Sequence, residues 1–314
     1  MDLGPTLLSI LELPIPEYVQ GRAFLGKAAA APRDYIFGAR DRVDEAVELS
    51  RSVRDKRYLY IRNFMPDLSW NQPEAYSDQL ELRQEITRLA ATPEVKLTPG
   101  QLAYAGPSKS AEVLYDVESD PWQVKNLADD PSHRVELERM RETLRTWQAE
   151  SRDIGLMHES EAARGTADFP VERVLDTAWR VGLPGQVDEF TRRLSDPNPT
   201  VRYWAVIGLR AAGVKDGLQE VLADESSAVR VEAAGVLVAL DTLTAALASD
   251  DENVQVHAVR TLQLLGEKAR PALPVMQTAL PKIKNMYARW SIQGAIANLT
   301  GTENPVFKTP KEKK

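Results

Sequence analysis

At 314 residues the chain is long enough for two domains, each burying its own core, and its 43% hydrophobic and 27% charged content excludes a disordered or fibrous protein. A net charge of −7 excludes a generic nucleic-acid binder, whose phosphates call for a concentrated basic face, and no apolar run approaches the roughly 18–20 residues of a membrane helix. With no cysteine, disulfides, thiolate-bound zinc and a cysteine nucleophile are excluded within these residues.

The first residues lack the charged and apolar stretches of a secretory leader. Residues 2–13, DLGPTLLSILEL, instead predict an amphipathic helix with Asp2 as its cap and Pro5 in its first turn, so the chain reads as beginning inside a domain. Pro14 and Pro16 then break regular structure. Two strands are predicted at 35–38 and 58–61, where aromatic and β-branched residues suit a pleated, half-buried surface. Between them lies a charge-dense loop with Arg40, Asp41, Arg42, Asp44, Glu45, Arg51 and Arg54. Polar loops on rigid scaffolds carry function, and the same charges also suit a salt-bridged surface hairpin.

Residues 78–90 predict an exposed helix packed by Leu80, Ile86 and Leu89. A Pro/Gly/Ser-rich connection follows at 98–110, then a short strand EVLYD at 112–116. Residues 131–150 predict a helix buried through Val135, Leu137, Met140, Leu144 and Trp147. Periodicity fades over 151–169, which is expected to be a linker.

From residue 170 the chain repeats. VRYWAVIGL from Val201, VRVEAAGVL from Val229 and VQVHAVRTL from Val254 each follow an acidic, helix-capping turn and precede a second apolar helix. Ala205, Ala233 and Ala258 share one register, where a small side chain lets helices approach. Arg202 and Arg230 also recur, but Gln255 stands at the third position, so an Arg-to-acidic-turn ladder is expected to be incomplete. Weaker units flank these at 172–194 and 269–299. The pattern resembles short HEAT repeats, implying an α-solenoid. The expected fold is α+β followed by all-α: short strands and helices in 1–150, a linker at 151–169, HEAT-like hairpins over 170–300 and a basic tail at 301–314.

In the first half, DLGPTLLSIL, PEYVQGRAFLG, YIFGARDRVDE, RSVRDKRYLYIRNF and EVLYDVESDPWQVKNLADDP occur in an order that resembles the C-terminal part of a sulfatase, nearest to heparan-type and N-sulfoglucosamine-type bacterial enzymes. The resemblance implies the last helix of the large α/β domain plus the small antiparallel subdomain. It further implies hydrolysis of sulfate esters or N-sulfates by a formylglycine beside calcium, a sulfated glycan as partner, and a periplasmic or extracellular location. The formylglycine motif C-x-P-S-R and the metal motifs are absent here, and Pro131-Ser132-His133-Arg134 lacks the modified residue. Asp129-Asp130 and Asp250-Asp251 lie in capping turns. No catalytic, cofactor or metal residue is therefore assigned.

By the same resemblance, Arg42, Asp44, Glu45 and Arg51 face the rim of the cleft and are the candidates for sugar contact. Guanidinium forks match sulfate and carboxylate, while carboxylates accept from hydroxyls. Ala46-Val47-Glu48 stands where the family often has Arg-Tyr-Asp, which leaves the substrate open. Trp70 and Trp122 are read as packing or as sugar-stacking residues. His133, His158 and His257 have no acidic or histidine partner at ligand spacing, and only His257 is expected to be buried. The expected function is a sulfatase fragment inactive on its own; the alternative is an interaction scaffold whose solenoid binds a protein partner, with no nucleic acid and no membrane involved.

Overall fold

Four strands form an antiparallel meander in sequence order, β1 (Ile36–Arg40), β2 (Ser50–Arg54), β3 (Tyr58–Asn63) and β4 (Glu112–Asp116), in a computed structural model that describes residues 1–302 and 304. The basic cluster at 308–314 lies outside the described residues. Cross-strand pairs Phe37–Val53, Val53–Tyr60 and Tyr60–Leu114 set one row of side chains on a single face. Val53, Tyr60 and Leu114 are fully buried there. The central strand β2 was not expected, because Ser-Arg-Ser-Val-Arg has neither apolar alternation nor β-forming composition. Its backbone pairs on both sides, and that ladder overrides local propensity. Arg51 and Arg54 thus belong to a strand, and the charged loop shrinks to 41–49.

Three helices flank the strands: α1 (Leu3–Ile10), α2 (Glu81–Ala90) and α3 (Pro99–Ala105). Asp2 does not cap α1 with its side chain; its carboxylate instead accepts from the Arg22 amide and pairs with Arg33. The helix α4 (Arg134–Glu150) crosses the core face of the sheet through Leu137, Met140 and Leu144, as its period predicts, and Trp147 stacks on Phe37 at 4.7 Å. Val135 is 75% exposed in the first turn of the helix, contrary to expectation. Gln148 is buried instead, donating to Asp153 and accepting from the Trp179 indole.

Ten further helices follow: α5 (Glu159–Ala162), α6 (Val171–Ala178), α7 (Val187–Arg193), α8 (Pro199–Ala211), α9 (Leu218–Val221), α10 (Ser227–Leu237), α11 (Leu240–Ala246), α12 (Glu252–Leu265), α13 (Leu273–Ala279) and α14 (Met286–Thr300). The longer ones pack in series, α8 on α10, α10 on α12 and α12 on α14. Asn198, Ser226, Asp251 and Asn285 cap these four by accepting from first-turn amides. Ala205, Ala233 and Ala258 are fully buried, and a Cβ at Gly208 would stand 2.4 Å from the Phe190 ring, so bare backbone is what lets α7 lie against α8. The recurring arginine does more than meet an acid. Arg202, Arg230 and Gln255 each donate to the carbonyl six residues back, of Asp196, Asp224 and Ser249, and only Arg202 adds a fork to Asp224, at 2.7 and 2.8 Å.

The core does not stop between the halves. Leu49, Tyr60 and Phe64 share one apolar cluster with Trp179, Phe190 and Trp204. Within the expected linker, Leu156 and Phe169 are buried in that cluster, and the Leu156 carbonyl accepts from the Trp204 indole at 2.8 Å. Arg62 of β3, fully buried, reaches across to the carbonyls of Trp179 and Val181 just past α6, and to that of Ala111. Arg62→Met keeps the apolar stem and leaves those carbonyls without a donor. It is expected to lower unfolding free energy by about 2–4 kcal/mol in denaturant titration, while Arg54→Met on an exposed position changes it by less than about 0.5 kcal/mol. Because the core is shared, the chain is expected to melt in one calorimetric transition; two separated transitions would contradict that continuity.

Candidate functional site

Residues 41–49 leave β1 and return into β2 through a tight turn closed by paired hydrogen bonds between Val43 and Ala46, at 3.0 and 2.8 Å. Asp44 takes the left-handed conformation this turn requires (φ 49°), which a short polar side chain tolerates. The turn gathers three of the four candidate residues. Arg42 is part-buried: its Nε donates to both Glu159 oxygens at 3.1 and 2.9 Å, Nη1 donates to the Asp44 carbonyl, and the guanidinium lies 5.1 Å from the Tyr287 ring of α14.

Asp44 sits beside Glu74, and burial together with that second carboxylate raises its pKa. Glu45 is fully buried; Oε1 accepts from the Ala75 amide at 2.6 Å, Oε2 has no hydrogen-bond partner among the described residues, and burial raises its pKa. Arg51 points to the core face instead, 1% exposed, with its fork on Asp153 at 2.8 and 2.9 Å and a further contact to Asp41 at 2.8 Å. Glu74 and Asp78 extend the acidic patch. Its counter-cations are Arg83 and the buried Arg260 of α12, which donates to the Pro73 carbonyl, Gln72 and Gln263. Burial pulls Arg260 down to about 10, against the pull of Glu45, Asp78 and Glu74, so it stays charged at neutral pH.

Folding also assembles a cluster that the spacing of the histidines conceals. The rings of His158 and His257 lie 4.6 Å apart, and His257 Nε2 is 3.1 Å from the Glu232 carboxylate. Arg210 pairs with Glu232 and, at 2.6 Å, with Asp67. The signal was present in the repeat windows: Glu232 and His257 both occupy the fourth position, and the neighbouring helices α10 and α12 present them to one another. A carboxylate–imidazole pair is the chemistry of proton transfer, but this one is enclosed. His133 stays apart, against Ser132 and Asp130. Among the described residues no three His, Asp or Glu side chains converge to hold a metal. The calcium and formylglycine implied by the resemblance therefore have no fitting residues here, and no step is routed through them.

No family model matches the chain. Over 161 residues, 51% of this chain, it is 40% identical to an ulvan-active sulfatase of Formosa agariphila, covering 27% of that protein. A second ulvan-active sulfatase of the same organism is 29% identical over 160 residues, 49% of this chain and 29% of the relative. The chain thus spans little more than a quarter of the curated relatives it matches. A solved structure from Bacteroides thetaiotaomicron VPI-5482, assigned to the sulfatases, aligns at 21% identity and a TM-score of 0.30 over 49% of this chain and 25% of that one, a likeness too slight to argue from. Half of this chain is homologous to part of a sulfatase.

The enclosed cluster separates two pH windows. Burial, then the neighbouring His257, hold His158 well below the ordinary histidine value of 6.5, so the unfolded chain binds more protons once pH falls below that value. Stability is expected to fall on acidification from pH 7 to 5 at up to about 1.4 kcal/mol per pH unit, and His158→Asn flattens that slope in denaturant titrations across this range. Glu232 behaves oppositely in origin. Burial alone would raise its carboxyl, yet Arg210 and His257 depress it to about 2. Its contribution is full above the unfolded carboxylate value and is lost only as pH falls from there towards 2. Glu232→Gln is expected to cost about 3 kcal/mol at pH 7 and to remove that acid-limb dependence.

Proposed function

We propose that this chain is the C-terminal part of a sulfatase-family hydrolase acting on sulfated sugars outside the cytoplasm, that residues 170–300 form a short α-solenoid of the HEAT kind, and that the 41–49 turn contributes contacts at the rim of the substrate cleft. The observation that carries this reading is the 40% identity over half the chain to an ulvan-active sulfatase. In support of the rim contacts, Arg42 and Asp44 remain part-exposed, and among the described residues the Arg42 Nη2 makes no hydrogen bond, leaving an edge of the guanidinium for a sulfate or carboxylate. Glu45 and Arg51 hold the turn from inside, through Ala75 and Asp153. Tyr287 of α14 stands over Arg42, so the helical half forms part of that rim.

These residues contain neither a cysteine nor a Ser-x-Pro-Ser-Arg string from which a formylglycine is made, so the chain is assigned binding and not bond cleavage. Incubated with an aryl sulfate or N-sulfated glucosamine, the purified chain is expected to release no sulfate above buffer. Turnover that disappears when one of its own residues is mutated would overturn the reading. In calorimetric titration with sulfated ulvan oligosaccharides, Arg42→Ala is expected to weaken binding about tenfold, the loss of one charge-assisted contact.

A further inference from the structure

Opposite its core face, the sheet lies open. Ile61 and Asn63 of β3 with Val113 and Tyr115 of β4 floor a groove of about 750 Å³, walled by α3 on one side and the turn at 122–126 on the other. Trp70 and Trp122 stand in this groove. Burial decides between packing and contact for the two indoles. Trp122 is 86% exposed, so its ring stabilises nothing in the chain itself. Trp70 is held on its face by the cations of Arg40 and Lys109, 5.3 and 4.9 Å from the ring centre.

The polar groups point to the class of ligand. Lys109 is already engaged by Glu48 at 2.8 Å and donates to the Leu68 carbonyl, so its charge is not free for an anionic group. Asn63 is 1% exposed; its Nδ2 donates to the Ser110 carbonyl at 2.7 Å, whereas its Oδ1 receives no hydrogen bond among the described residues. A buried acceptor left bare is costly, and a hydroxyl is the neutral donor that satisfies it, directly or through one water. Gln123 beside Trp122 offers both a donor and an acceptor at the rim. An aromatic platform, a mixed apolar floor and hydroxyl-matching amides fit the faces and edges of a pyranose ring.

We propose that this groove is a carbohydrate-binding subsite in which an uncharged sugar ring stacks on Trp122 and a hydroxyl is received at Asn63. Only the choice of polymer for the test rests on the function proposed above; the groove's chemistry does not. The full chain is titrated with desulfated ulvan oligosaccharides while tryptophan fluorescence is followed. Saturable binding is expected, weakened about tenfold by Trp122→Ala and largely kept by Trp122→Phe, with melting temperatures unchanged because the ring is exposed. Absence of saturable binding, or binding indifferent to Trp122→Ala, overturns the subsite. So does light scattering that shows self-association abolished by Trp122→Ala, since a second copy would then occupy the groove. The desulfated probe offers no sulfate to hydrolyse, so failure here leaves the sulfatase reading intact. Binding of the sulfated probe that depends on Arg42 but not on Trp122 rejects the groove while supporting the rim.

Discussion

Buried guanidinium groups hold the two halves of this protein in one arrangement. Arg51, Arg62 and Arg260 are all but inaccessible to solvent, and each finds its partners far along the chain: Asp153, the carbonyls past α6, and the 72–73 segment. Arg210, partly covered, adds Asp67 and Glu232. Removing a charge from water costs several kcal/mol unless directional partners replace the lost solvent. An apolar contact tolerates sliding, but a planar fork set on fixed oxygens does not. Tyr60, Phe64, Trp179 and Trp204 supply the apolar area of the junction, and the arginines supply its register.

That register decides what the 41–49 turn can be. Glu45 and Val47 are anchored to the 72–75 segment, Glu48 to Lys109 and Arg42 to Glu159, so the turn is a fixed feature and not a free loop. Acids outnumber cations around it, and the result is unequal environments: Asp44 shares space with Glu74, Glu45 is sealed against the Ala75 amide, and Arg42 is held part-exposed between Glu159 and Tyr287. An arginine held at two donors and backed by an aromatic face loses little freedom when a third contact forms.

Local features were legible in the sequence. The buried stripe Leu137, Met140 and Leu144, the strand at 112–116, the capping turns and the alanine register all follow from period and residue type, which are properties of neighbours along the chain. What escaped reading depends on partners that only the folded chain brings together. Arg51 looks like a loop cation until Asp153 is placed beside it, and Ser-Arg-Ser-Val-Arg looks like a turn until strands flank it on both sides. Val135 is exposed and Gln148 is buried against Asp153 and the Trp179 indole, partners that helical period cannot report. The proximity of His158 and His257 was hidden for the same reason, although Glu232 and His257 were already aligned in the repeat windows.

That alignment has a wider meaning. The helices repeat a backbone whose small residues and caps are nearly the same from unit to unit, yet the fourth position carries an indole, a carboxylate and an imidazole in turn. Packing and chemistry meet at that position: Trp204 wedges into the junction with the first half, while Glu232 and His257 pair with one another. One backbone frame thus carries an apolar wedge at one slot and a charged pair at the next two, each fixed by the partners that folding brings to it.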